Sequence, residues 1–261
     1  MIIKKTIIVI AGLLLVGIFI MVFTSYRYVL QVQQGRDYPV GLGDFNTTGQ
    51  YGIDPNKTLI DLENGKTTIL TPIPVLPESS DQLINDETPV VWGFSSYLEV
   101  ANMVMYQVWS DEINNWSLYR MNFYTNCKDS SNGFSMGDFI FFRPTIGKVK
   151  NVYEVREILI NPARSRVEWG SDNYFPIPLF GWKKIDLGKV GVSADDAMQI
   201  AEDNGGRGAR LEVSNVCDIF LSYSPNIKSD NWILTMSHNN DLPYVFEIQI
   251  NPHSGKFHVV R

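Results

Sequence analysis

The chain has 261 residues, a formal net charge of −6 and 44% apolar residues. An acidic balance with no basic stripe argues against nucleic acid as a partner, and the apolar share is enough for a real core. Aromatic residues make up 12%, with six Trp and twelve Tyr, which favours β-rich structure because aromatic rings suit a half-buried pleated surface.

Lys4 and Lys5 precede an uncharged apolar run over residues 6–23. As a helix that run is about 27 Å long, close to the hydrocarbon thickness of a bilayer. Its end lacks a small-residue cleavage pattern, and Tyr26, Arg27 and Tyr28 read as interfacial residues. The expectation is a cytoplasmic N-terminus at 1–5, a single-pass transmembrane anchor at 6–23 and a C-terminal body outside the cytoplasm.

Residues 24–92 read as a juxtamembrane Pro/Gly spacer, broken by Gly35, Gly41, Gly43, Gly49 and Gly52 and later by Pro72, Pro74, Pro77 and Pro89. Within it, Asn64-Gly65 stands between two apolar runs, which predicts a β-hairpin at 58–70. The Pro-rich stretch from Thr71 to Pro77 predicts extended chain, a stiff stand-off from the bilayer or a strap along the body.

A first helix-plus-sheet unit is expected at 93–170. Its helix contains Tyr97 to Met105, and its strands contain Asn115 to Asn126, Phe139 to Phe142 and Ile158 to Ile160, with Asn161-Pro162 at the final turn. A connector at 171–191 follows. Tyr174, Phe175, Phe180 and Trp182 lie in or beside it, either as an exposed interaction surface or buried across a domain face.

The second unit, 192–261, carries the clearest signals. Ser193, Asp195 and Asp196 ahead of Ala197, Ile200 and Ala201 form a capping-box pattern opposite the positive end of a helix dipole. Asn204-Gly205-Gly206 predicts a left-handed end to that helix. Strand-like runs follow at Arg210 to Leu221, Trp232 to Met236 and Val245 to Ile250. In the last of these Phe246, Ile248 and Ile250 alternate with Glu247 and Gln249. The turn Asn251-Pro252-His253-Ser254-Gly255 leads into a closing strand from Lys256 to Val260.

On these residues, the helix with its Ser193 cap, the Trp232 strand and the final Asn-Pro-His-Ser-Gly-Lys hairpin, the C-terminal region resembles the PepSY domain. That resemblance implies a helix packed on an antiparallel sheet, an exported or membrane-bound setting, and no catalytic residues.

Signals for chemistry are sparse. His238, His253 and His258 have no metal-ligand spacing, and there is no Gly-x-Ser-x-Gly elbow or phosphate loop. No catalytic, cofactor-binding or metal residue is expected, and no small-molecule ligand is identifiable. Cys127 and Cys217 are either one disulfide between the two halves or two buried thiols. The expected fold is α+β, an N-terminal transmembrane helix followed by two tandem helix-on-antiparallel-sheet units. The expected function is a membrane-anchored extracytoplasmic interaction or regulatory module, non-catalytic, that binds or restrains another envelope or secreted protein. The alternatives are a cell-envelope structural protein without a ligand and an unrecognised hydrolase.

Overall fold

The computed structural model describes residues 47–66, 70–74, 91–109, 116–130, 133–144, 153–174, 183–227, 229–238 and 244–261, together with Gly17, Ile18 and Met21. In chain order the elements are β1 (Thr47–Gly52), α1 (Pro55–Glu63), β2 (Thr71–Ile73) and α2 (Phe94–Trp109). Four long strands follow, β3 (Ser117–Asn126), β4 (Met136–Pro144), β5 (Tyr153–Asn161) and β6 (Arg166–Tyr174). The chain then forms α3 (Ala194–Ala201), α4 (Arg207–Glu212), β7 (Asp218–Tyr223), β8 (Trp232–Ser237), β9 (Phe246–Ile250) and β10 (Phe257–Val259).

All ten strands belong to one sheet, in the order β10-β9-β8-β7-β3-β4-β5-β6-β1-β2, and every pairing is antiparallel. The seam is β3 against β7, where Met121 faces Tyr223 and Asn126 faces Asp218. The buried stripe of α2, Tyr97, Val100, Ala101, Val104 and Met105, joins the same core as Ala194, Ala197, Met198 and Ala201 of α3. Phe123 on β3 is the hub of that core. Its ring meets Phe94, Tyr97, Phe134, Phe139 and Trp232 at centroid distances of 5.0–6.3 Å.

This architecture corrects the fold expected from sequence. The two helix-and-strand runs are not tandem units, because β3–β7 pairing and a shared core merge them into one continuous sheet. Among the described residues no helix is long and apolar enough to cross a membrane. Apart from Gly17, Ile18 and Met21, which are helical, the run 6–23 lies outside the described residues.

The spacer is corrected too. β1 pairs with β6 and with β2, so parts of 24–92 form one end of the sheet. The expected hairpin at 58–70 is a helix instead. Asp54 caps α1 by accepting from the Lys57 amide at 2.9 Å, and Pro55 stands at the first helical position. Thr58, Leu59 and Leu62 then share a face against the core. Asn64-Gly65 terminates that helix, with Gly65 at φ +66°. A two-residue hairpin turn needs positive φ at both residues, but Asn64 is at φ −88°, and the residues before it have helical, not alternating, spacing.

Two further boundaries move. β6 extends to Tyr174, so the connector begins later than residue 171. Asn204-Gly205 kinks the helix at a Gly205 φ of +117°, but helix resumes as α4 where the sequence suggests a strand from Arg210. Arg210 closes back over the kink, its Nε lying 2.9 Å from Glu202 Oε2. That ion pair favours a second helical turn over an early strand.

Candidate functional site: a cleft beside the helix starts

A cavity of about 600 Å³ opens between the α3–α4 arm, the β3–β4 turn and the start of α2. Volumes of roughly 300–1,000 Å³ are usual for ligand clefts. Its lining includes Gly93, Phe134, Asp195, Met198, Glu202 and Arg207.

Each wall has a local cause. Ser193 accepts from the Asp196 amide at 3.1 Å while Asp196 accepts from the Ser193 amide at 3.1 Å, a reciprocal cap that starts α3. This leaves Asp195, one turn position earlier, free to reach outward. Its Oδ2 accepts the Phe94 amide at 2.9 Å and so caps the first turn of α2 from another part of the chain. Gly93 suits this approach, since a Cβ there would meet the Asp195 carboxylate at 3.3 Å. On the opposite wall Trp92 and Phe134 exchange backbone hydrogen bonds of 2.9 and 3.0 Å. Gly133 lies beside that bridge at φ +122°, where a Cβ would strike the Trp92 carbonyl at 2.7 Å.

The acidic groups around the cleft are committed to these contacts. Partial burial raises the Asp195 carboxyl, offset in part by the Phe94 amide. Arg210 approaches both Glu202 oxygens at 2.9 and 3.1 Å and also donates to Asn215 at 2.7 Å. Gln199 donates to Asp203 at 2.9 Å. Arg207 is exposed and has no ion-pair partner among the described residues, so the cleft offers one uncommitted cation.

A second polar group lies on the sheet face turned away from α2 and α3. Ser222 Oγ donates to Asn122 Oδ1 at 2.8 Å, and Asn122 Nδ2 donates to Asp138 Oδ2 at 2.8 Å. These residues face one another directly in register on β7, β3 and β4. Arg120 and Glu157 complete the cluster, and all five are buried. Burial pushes Glu157 well above the usual carboxylate range, and the nearby Asp138 charge pushes it further. Desolvation raises Asp138 as well, against the Arg120 guanidinium and the Asn122 amide. Burial thus raises both carboxyls of this pair.

A third group ties the last hairpin to the loops below it. His253 Nδ1 donates to the Lys189 carbonyl at 2.6 Å, since a carbonyl can only accept. His253 Nε2 lies 3.4 Å from Asp230 Oδ2, and Tyr223 donates to Asp230 Oδ1 at 2.8 Å. The Lys189 carbonyl and then Asp230 raise the His253 imidazole.

The residues singled out from sequence fall into different places. Cys127 and Cys217 form a disulfide at the outer end of the β3–β7 seam, with Cα atoms 5.2 Å apart. Tyr174 ends β6 opposite Tyr153, whereas Phe175, Phe180 and Trp182 lie outside the described residues. Among the described residues no group of three or more His, Cys, Asp or Glu side chains is placed to hold a metal ion. Sequence reading missed the Arg120–Asn122–Asp138–Glu157–Ser222 cluster. Its only signal is polar residues at alternate positions within otherwise apolar strands.

Compared with known proteins, the chain matches no family model, no curated protein and no solved structure.

Proposed function

We propose that this protein is a membrane-attached extracytoplasmic interaction module that binds or restrains another exported protein. One observation carries the reading. The cleft is of ligand-binding size, yet its carboxylates are spent on holding helix starts and turns, which suits recognition rather than bond-making.

Two further features support the location. The Cys127–Cys217 disulfide suits an oxidising compartment. The apolar run at 6–23, with Lys4 and Lys5 before it, is the means of attachment.

The cleft reading is tested with a photo-crosslinking amino acid at Gln199 in the full-length protein in its own membrane. A single stoichiometric adduct, lost in Arg207→Glu, is the expected result. Diffuse adducts that ignore Arg207→Glu would remove it. Compartment is tested by trapping thiols in intact cells and running non-reducing gels. Cys127 and Cys217 are expected to be oxidised; free thiols would place the body in the cytoplasm.

A further inference from the structure

The two edges of the ten-stranded sheet are built differently, and among the described residues no strand pairs with the outer side of β10. β2 carries Pro72 in register with Tyr51 and is followed by Pro74. A proline has no amide hydrogen, so this edge is a poor template for another strand. β10 at the other edge, Phe257-His258-Val259, contains no proline.

The ladder register decides which groups of β10 face outward. Asn251 N–H donates to Lys256 O at 2.7 Å, and Val260 N–H donates to Glu247 O at 2.9 Å. Hydrogen-bonded and non-bonded pairs alternate in an antiparallel ladder, so His258 bonds Gln249 while Phe257 and Val259 do not bond β9. The N–H and C=O groups of Phe257 and Val259 therefore point away from the sheet. Their side chains stand beside Ile250 and Ile248 on the core face, yet they are 47% and 39% exposed. Open backbone groups and uncovered apolar side chains coincide at the same two residues.

Charge selects the occupant. Lys256 and Arg261 flank the strand, both exposed and without an ion-pair partner among the described residues. β10 itself holds no acidic residue. Self-pairing of two copies about His258 would set cations of one against cations of the other at both ends. An acid-flanked strand faces no such repulsion.

We propose that β10 is a docking edge for an extended segment of another exported protein, with apolar residues at alternate positions and an acidic residue at each end. The segment adds an eleventh strand by pairing with Phe257 and Val259. This rests on the reading of the protein as an interaction module, but it concerns a surface distinct from the cleft.

The test uses full-length protein and a capped peptide alternating Val and Thr with Asp at both ends. Binding is expected to slow exchange of the Phe257 and Val259 amides roughly tenfold or more, leaving the already bonded His258 amide unchanged. A Lys-ended counterpart should bind roughly tenfold more weakly, and Lys256→Glu with Arg261→Glu should invert that preference. Val259→Pro should abolish binding while shifting the unfolding midpoint no more than Val259→Ala does, because the lost N–H faces outward and both variants lose the same side-chain packing. Equal affinity for both peptides, or an unaltered preference in the charge-reversed variant, would overturn the proposal. So would protection of both amides in the peptide-free monomer, or in a dimer seen by sedimentation. The Gln199 crosslink is unaffected by Val259→Pro if the cleft acts alone, so failure at the edge is distinguishable from failure at the cleft.

Discussion

The two halves of the sheet solve the same problem with different resources. The half built on α2 has four strands of nine or ten residues, β3 to β6, and a sixteen-residue helix whose first turn is capped by Asp195 from another part of the chain. The half built on α3 has strands of three to six residues and an eight-residue helix with its own Ser193–Asp196 box. The longer helix borrows its cap from the shorter one through Asp195. The halves also share the β3–β7 ladder, the Ser222–Asn122–Asp138 row and one disulfide. A short half of this size would bury too little to stand alone, so it is stabilised by what crosses the seam.

Breaking the covalent tie should have the largest effect. The Cys127→Ser, Cys217→Ser double variant opens a loop closed over 90 residues and is expected to lose about 3–5 kcal/mol in urea unfolding. A midpoint unchanged by both the variant and added reductant would mean that hydrogen bonding alone holds the seam.

Asn122→Ala comes next. It leaves the Asp138 carboxyl and the Ser222 hydroxyl without their partner in a buried site, a loss of about 2–4 kcal/mol. Ser222→Ala, which removes one end of the row only, should cost about 1 kcal/mol. Equal effects for the two would show that the row is not a connected network.

The caps sharpen the comparison. Asp195→Ala should cost about 1–2 kcal/mol and speed amide exchange in the first turn of α2, although the substituted residue lies in α3. Ser193→Ala should cost about 1 kcal/mol with exchange confined to α3. Identical exchange patterns for the two variants would contradict the division of roles.

Glu157 gives the smallest effect and a pH signature. Its carboxyl is raised on folding, so its contribution is fully present below the unfolded carboxylate range and is lost as pH rises through the folded value. Stability should therefore decline from acid toward alkaline pH at this group. Glu157→Gln should flatten that decline, measured as unfolding midpoint against pH, while an unchanged slope would locate the titration elsewhere.

The spacing of residues along the chain determined much of the local structure. Ser193 with Asp196 marked the start of α3, the alternation from Phe246 to Ile250 marked β9, and Asn161-Pro162 and Asn251-Pro252 marked two hairpin turns. Each is a contact between neighbours a few residues apart, so the information lies within a short window. Asn64-Gly65 shows the limit of such a window, because positive φ ends a helix as well as it turns a hairpin.

Only the tertiary structure decided the rest. Whether Asn122 meets Ser222 depends on β3 pairing with β7, a contact across 100 residues. Asp195 and Phe94 are 101 residues apart, and either reads locally as an ordinary helix-start residue. The β10 edge is likewise global, since strand order is set by which apolar faces pack together and is not written in any one strand. Sequence periodicity fixes which way a side chain faces along its own element. The partner it then meets is chosen by the shared core around Phe123, and that core exists only once the two halves have closed on one sheet.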